Sequence, residues 1–174
     1  MLKQISQICG RLGITPVLIG GWAMNFLGVP RQTLDVDLML SVKEAKRLQE
    51  QLERLGYSEV FRNQVFVRLH SNEALEIDIL LSDADTLARV RDNGKAFHEH
   101  GAEFMVPSPE HLVAMKLHAM KNQLSERISR DLPDVVALLS MADIKPNSEK
   151  FNKLCGRYGT EKIRNLIMDA VDEK

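Results

Sequence analysis

The chain has 174 residues, 44% hydrophobic and 27% charged, with a formal net charge of −1. That is enough for one medium domain, or a compact core with a helical extension, and too balanced for a protein that coats nucleic acid through a broad basic surface. No apolar run reaches the ~18 residues of a membrane span and the N-terminal MLKQISQICG lacks the continuous apolar segment of a secretion signal, so a cytoplasmic protein is expected.

Residues 2–13 have helical spacing and stop at Gly13, and Thr15–Ile19 reads as a short buried strand ended by Gly20-Gly21. A helix is expected from Trp22 to Gly28, with Pro30 preventing its continuation. Asp35–Leu40 is a second strand. Ser41 is the expected N-cap of a helix over Val42–Leu55, Glu44 completes a capping box, and Gly56 ends the helix. Strands follow at Tyr57–Phe61, Val65–Leu69 and Leu75–Leu81, with turns at Asn63 and Ser71-Asn72. After Ser82 come a helix through Arg91, a loop, and a short strand at Glu103–Val106. From Glu110 the pattern is helical, with segments near 110–124, 132–142, 148–157 and 161–172. The expected fold is mixed α/β (α+β), a small mixed sheet with flanking helices over residues 1–106. A C-terminal helical bundle over 107–174 is expected to pack on it, with the boundary at Pro107-Ser108-Pro109.

Gly20-Gly21 between strand and helix lets the backbone approach a ligand and aims N–H groups at it, a means of holding phosphate; alone it reads first as a tight strand-to-helix turn. In the second strand the two-residue period points Asp35 and Asp37 to one face, and in the later strand it does the same for Glu76 and Asp78. If these strands are neighbours, three or four carboxylates converge. Like charges brought together in a half-buried sheet raise one another's pKa unless a cation is present, and a divalent ion is the economical partner. The other reading places Glu76 and Asp78 on the solvent side of an edge strand.

In the helical half, Lys116 falls within an apolar stripe made by Leu112, Val113, Ala119 and Met120. A lysine there answers to a carboxylate cluster or a triphosphate, or else snorkels from the edge of the interface. Asp131, Asp134 and Leu138 share a face, and Asp131 reads either as part of that face or as the N-cap of a helix entering through Pro133. The histidines lack zinc spacing: His98 and His100 fall in the expected loop, and His111 and His118 lie on the polar flank of their helix. Cys9 and Cys155 have neither metal-ligand nor CxxC spacing and read as reduced core residues, as Trp22 and the methionines read as core packing.

The order of these elements is recognisable. A strand ending in Gly-Gly, a short helix, Arg31-x-Thr33-x-Asp35-x-Asp37 and a later strand bearing Asp78 resembles the DNA polymerase beta-like nucleotidyltransferase superfamily. Lys116-Leu117-His118-Ala119, Arg127 and Arg130-Asp131-Leu132-Pro133-Asp134-Val135 are similar to the Lys-x-x-Ala and Arg-x-Lys-Asp-x-x-Asp-Leu signatures of the AbiEii/AbiGii-type nucleotidyltransferases. These are bacterial and archaeal proteins that include toxins of toxin–antitoxin pairs. Two positions depart from the pattern: Gly21 stands where many superfamily members carry Ser, and Arg130 where the toxin signature has Lys.

The resemblance implies a Mg²⁺-dependent nucleotidyltransferase, with Mn²⁺ as the alternative ion. It would move a nucleoside monophosphate from an NTP to an acceptor hydroxyl on RNA, protein or a small molecule, releasing pyrophosphate, and it would have an antitoxin protein as partner. Asp35 and Asp37 would hold the metal, and Asp78 would complete a second metal position or take the acceptor's proton. Gly20 and Gly21 would cradle the phosphates, Arg31, Lys116 and Arg130 would neutralise their charge with Asp134 beside them, and Thr33 would orient a phosphate or a metal-bound water. A second reading keeps the same fold as a non-catalytic module that binds nucleotide or a partner. A third makes the acids surface and capping groups of an α/β interaction domain.

Overall fold

The computed structural model describes residues 1–99 and 101–172. The chain divides into two compact units, Met1–Pro107 and Ser108–Lys174.

In the first unit the elements are α1 (Leu2–Arg11), β1 (Val17–Leu18), α2 (Gly20–Phe26), β2 (Asp35–Ser41), α3 (Val42–Glu53), β3 (Ser58–Arg62), β4 (Phe66–His70), β5 (Glu76–Ser82), α4 (Ala84–Asp92), β6 (Lys95–Glu99) and β7 (Ala102–Val106). The described residues form a seven-stranded mixed sheet in the order β3-β4-β5-β2-β1-β7-β6. β2 and β5 run parallel at its centre, joined by a crossover that contains α3, β3 and β4, while β4 pairs antiparallel with β5. Alternation along the strands separates two faces. Val36, Leu38 and Leu40 of β2, Ile77 and Ile79 of β5, and Val67 and Leu69 of β4 are buried with Ile5 and Ile8 of α1 and Leu48 and Leu52 of α3 in one apolar cluster. The intervening residues, Asp35, Asp37, Asp78 and Arg68 among them, stand on the opposite face.

Two expectations for this unit are corrected. α2 begins at Gly20, not Trp22, because Gly20 takes a left-handed φ of +62° after an extended Ile19 and turns the chain straight into the helix. Where a loop was expected, β6 runs from Lys95 to Glu99, so His98 lies in a strand; His100 lies outside the described residues. β6 offers one large apolar residue to a pattern reading. Its order comes from the antiparallel ladder with β7 and from Phe97, whose ring stacks on Phe26 at 3.6 Å between centroids.

The second unit consists of α5 (Pro109–Asn122), α6 (Leu124–Met141), α7 (Glu149–Tyr158) and α8 (Glu161–Asp172). α5 packs on α6 and α7, burying Leu112, Val113, Leu117 and Met120 together with Val135, Leu138, Leu139 and Phe151. Ser108 caps α5 by accepting the His111 N–H at 3.3 Å, with Pro109 in the first turn, where its missing N–H costs nothing. The expected helix start at residue 132 is wrong: α6 begins at Leu124 and runs through Pro133. The proline removes one intrahelical bond, and the buried face on either side of it holds the helix together. Asp131 is therefore a mid-helix residue and not an N-cap. Among the described residues no helix is long and apolar enough to cross a membrane.

Candidate active site

The parallel register of β2 and β5 sets Asp35 opposite Glu76 and Asp37 opposite Asp78. Asp35, Asp37 and Asp78 each bring a carboxylate oxygen within 4.8 Å of the others. Asp78 is 5% exposed, so its charge must be met from within the protein. Glu76, the fourth acid, turns instead toward His70, whose Nδ1 lies 3.2 Å away, and toward Arg68 at 3.7 Å.

The glycine pair abuts this group. A Cβ on Gly20 would overlap the Asp37 carboxylate, and one on Gly21 would come within 2.6 Å of the Thr33 Cβ. Gly21 thus has a local reason: Thr33 occupies the volume that a serine side chain would need. Thr33 is committed as well, since its hydroxyl donates to Asp35 Oδ1 at 2.6 Å and so orients that carboxylate. Arg31 is fixed through its backbone, with Asn25 Oδ1 accepting its N–H at 2.6 Å and Asn25 Nδ2 donating to its carbonyl at 2.8 Å. Asn25 staples the segment leading to β2 onto α2.

Sequence reasoning missed Arg68. β4 sets it opposite Asp78, and its guanidinium forms a two-pronged fork: Nε donates to Oδ1 at 2.8 Å and a terminal nitrogen to Oδ2 at 2.7 Å. The hydrogen bonds to Asp78 raise the guanidinium pKa above its ordinary value despite partial burial. Its alternation with Val67 and Leu69 tells which face it occupies, but register across a hairpin is not legible without the partner strand.

In the helical unit Lys116 Nζ donates to Asp131 at 2.9 Å and to Asp134 at 2.7 Å. Both aspartates are buried, at 2% and 4% exposure. Of the alternatives for this lysine, the carboxylate cluster is present. Arg127 approaches Asp131 at 3.4 Å, and Arg130, with a half-exposed side chain, lies 3.8 Å from it. Cys9 and Cys155 are buried free thiols, and burial pushes them up to about 12 and about 11.

The family model for the nucleotidyl transferase AbiEii toxin of type IV toxin–antitoxin systems matches residues 10–174. None of the curated proteins matches the sequence. Among solved structures, an antigenic nucleotidyltransferase-like protein from Paracoccidioides brasiliensis is similar at 18% identity and a TM-score of 0.57, over 99% of this chain and 86% of that one. The lincosamide antibiotic adenylyltransferase LnuA, solved with lincomycin bound, gives 17% identity and a TM-score of 0.57 over 80% and 95% of the two chains. ANT(2")-Ia, solved in complex with adenylyl-2"-tobramycin, gives 18% identity and a TM-score of 0.56 over 97% and 94%. At these identities the neighbours speak to the fold.

Proposed function

The chain belongs to the AbiEii nucleotidyl transferase toxin family, and from that premise we propose that it is a Mg²⁺-dependent enzyme. In this reading it transfers a nucleoside monophosphate from an NTP to an acceptor hydroxyl and releases pyrophosphate. The observation that carries this reading is the convergence of Asp35, Asp37 and Asp78 within 4.8 Å beside the Gly20-Gly21 turn. An all-oxygen carboxylate set of this kind fits a hard divalent ion, Mg²⁺ or Mn²⁺. Asp35 and Asp37 would hold it, and when bound it would neutralise charge on the phosphate oxygens.

The chain's own residues do the rest. Thr33 keeps Asp35 turned to the site. Asp78, buried and acceptor-only when ionised, takes the proton from the acceptor hydroxyl as the bond to phosphorus forms and the pyrophosphate oxygen leaves. The backbone N–H groups of Gly20 and Gly21, in the first turn of α2, donate to the phosphates, because the first N–H groups of a helix have no intrahelical acceptor. Arg31 adds positive charge. Within the helical unit Lys116 has a third ammonium hydrogen beyond the two given to Asp131 and Asp134, which orient it, and half-exposed Arg130 adds a second cation beside Asp131. Membership of a type IV toxin–antitoxin family supports an antitoxin partner. The acceptor is a hydroxyl of RNA, protein or a small molecule.

The test is isothermal titration with each of the four NTPs, with and without Mg²⁺, on the native chain and on Asp35→Asn/Asp37→Asn. Metal-dependent binding of at least one NTP that disappears in the variant, with the circular dichroism unchanged, is the expected result. Equal binding by both proteins would remove the carboxylates from the site.

A further inference from the structure

The fork between Arg68 and Asp78 does more than fill a buried hydrogen-bonding need. Asp78 is the most enclosed of the three clustered acids, and both its oxygens are bonded to one guanidinium, at 2.8 and 2.7 Å. That guanidinium also stands 3.7 Å from Glu76 and senses the charge of Asp35. A cation is therefore already present in the acidic group, supplied by the protein. It is not sealed in place: the Arg68 side chain is 42% exposed, against 7% for that of Asp78, and its guanidinium carbon lies 5.6 Å from the centroid of the Phe66 ring, near the sheet's outer hairpin. A planar fork matched to a carboxylate is a strong hydrogen-bonding partner, and an ion approaching Asp78 has to displace it or share the oxygens with it.

We propose that Arg68 is the resident counter-cation of the acidic site. It competes with a divalent cation for the Asp78 carboxylate and so keeps the nucleotide-free protein's affinity for that ion low. Arg68 is a positioning residue, acting through Asp78. The inference rests on the nucleotidyl-transfer reading of the site. Its consequence is that the ion is held by Asp35 and Asp37 with little help from Asp78, and that Asp78 stays oriented as a carboxylate facing the acceptor.

The test is titration of Mn²⁺ alone, without nucleotide, into native protein, R68Q, R68K, D78N and R68Q/D78N at fixed pH and salt, with circular dichroism as the check on folding. R68Q is expected to bind Mn²⁺ about three- to tenfold more tightly than native, the size of releasing the two charge-assisted hydrogen bonds that occupy the Asp78 oxygens. In the D78N background the same substitution is expected to change affinity little, because the competition is for Asp78. A merely structural role for Arg68 would move affinity the other way. If R68Q does not fold, R68K decides, since it keeps the charge and loses the fork: tighter binding supports the proposal and native affinity overturns it. Native or weaker binding by folded R68Q overturns the proposal and leaves the metal reading standing, as does an equal gain in the D78N background. Absence of Mn²⁺ binding in every protein overturns both.

Discussion

At Gly20 the backbone sits at φ +62° and a Cβ would overlap the Asp37 carboxylate, so Gly20→Ala carries two penalties. The left-handed conformation costs a non-glycine residue about 1–2 kcal/mol, and Asp37 has to leave the cluster. The expected outcome is a lower melting temperature together with loss of Mg²⁺-dependent NTP binding. A variant with native NTP affinity would show that Asp37 is not held where the glycine requires. At this scale the residue types were legible, because a two-residue period places Asp35 with Asp37 and Glu76 with Asp78 without any fold in hand. Arg68 and Asn25 were not. An arginine in a strand and an asparagine in a short helix carry no local signal, and their roles arise from strand register and from the path of residues 27–34.

Among the elements, the α3 start shows what a local motif can and cannot tell. Ser41 Oγ accepts the Glu44 N–H at 3.3 Å and Glu44 Oε2 accepts the Ser41 N–H at 2.9 Å, as the capping-box spacing predicts. The sequence says nothing of Arg91, which donates to Glu44 Oε1 at 2.9 Å and so ties α4 to α3, the helices that follow the parallel strands β5 and β2. Burial pushes the Glu44 carboxyl up, but the hydrogen bonds from Ser41 and Arg91 outweigh it and hold the group below its ordinary 4.5. A depressed carboxyl lends stability that is complete above its unfolded pKa and fades as pH falls through the folded one. Urea titrations at pH 7 and below pH 4 are therefore expected to show a smaller acid-induced loss for Glu44→Gln than for the native chain; identical losses would remove Glu44 from the acid response. β6 and the first half of α6 were illegible for related reasons. β6 is defined by its partner β7, and α6 opens at Gln123-Leu124 without a capping side chain, so Pro133 is a stronger local signal than the true start.

For the whole molecule, the first unit, Met1–Pro107, contains the single tryptophan, Trp22. Lys116→Met leaves Asp131 and Asp134 without the ammonium that meets both, and breaking a buried ion pair by removing one partner costs about 3 kcal/mol or more. The helical signal in far-UV circular dichroism is expected to melt earlier in this variant than in the native chain, and earlier than the change in Trp22 emission. An unchanged melting curve would mean that the two aspartates do not depend on the lysine. The mixed α/β class and the acid-bearing strands were readable from periodicity, whereas the convergence of the acids required knowing that β2 and β5 are neighbours.

That neighbourhood also governs when the site comes into being. Because β2 and β5 are parallel, Asp37 and Asp78 meet only after the intervening chain, with α3 and the β3–β4 hairpin, has been laid down and closed as a loop. A nascent chain that has exposed β2 alone carries two of the three carboxylates and no Arg68 fork. The acidic group is complete only with β5 between β2 and β4, and its pairing with β2 is non-local in sequence. A chain captured before β5 docks therefore has Asp35 and Asp37 already in place in its sequence and still lacks the complete three-carboxylate group.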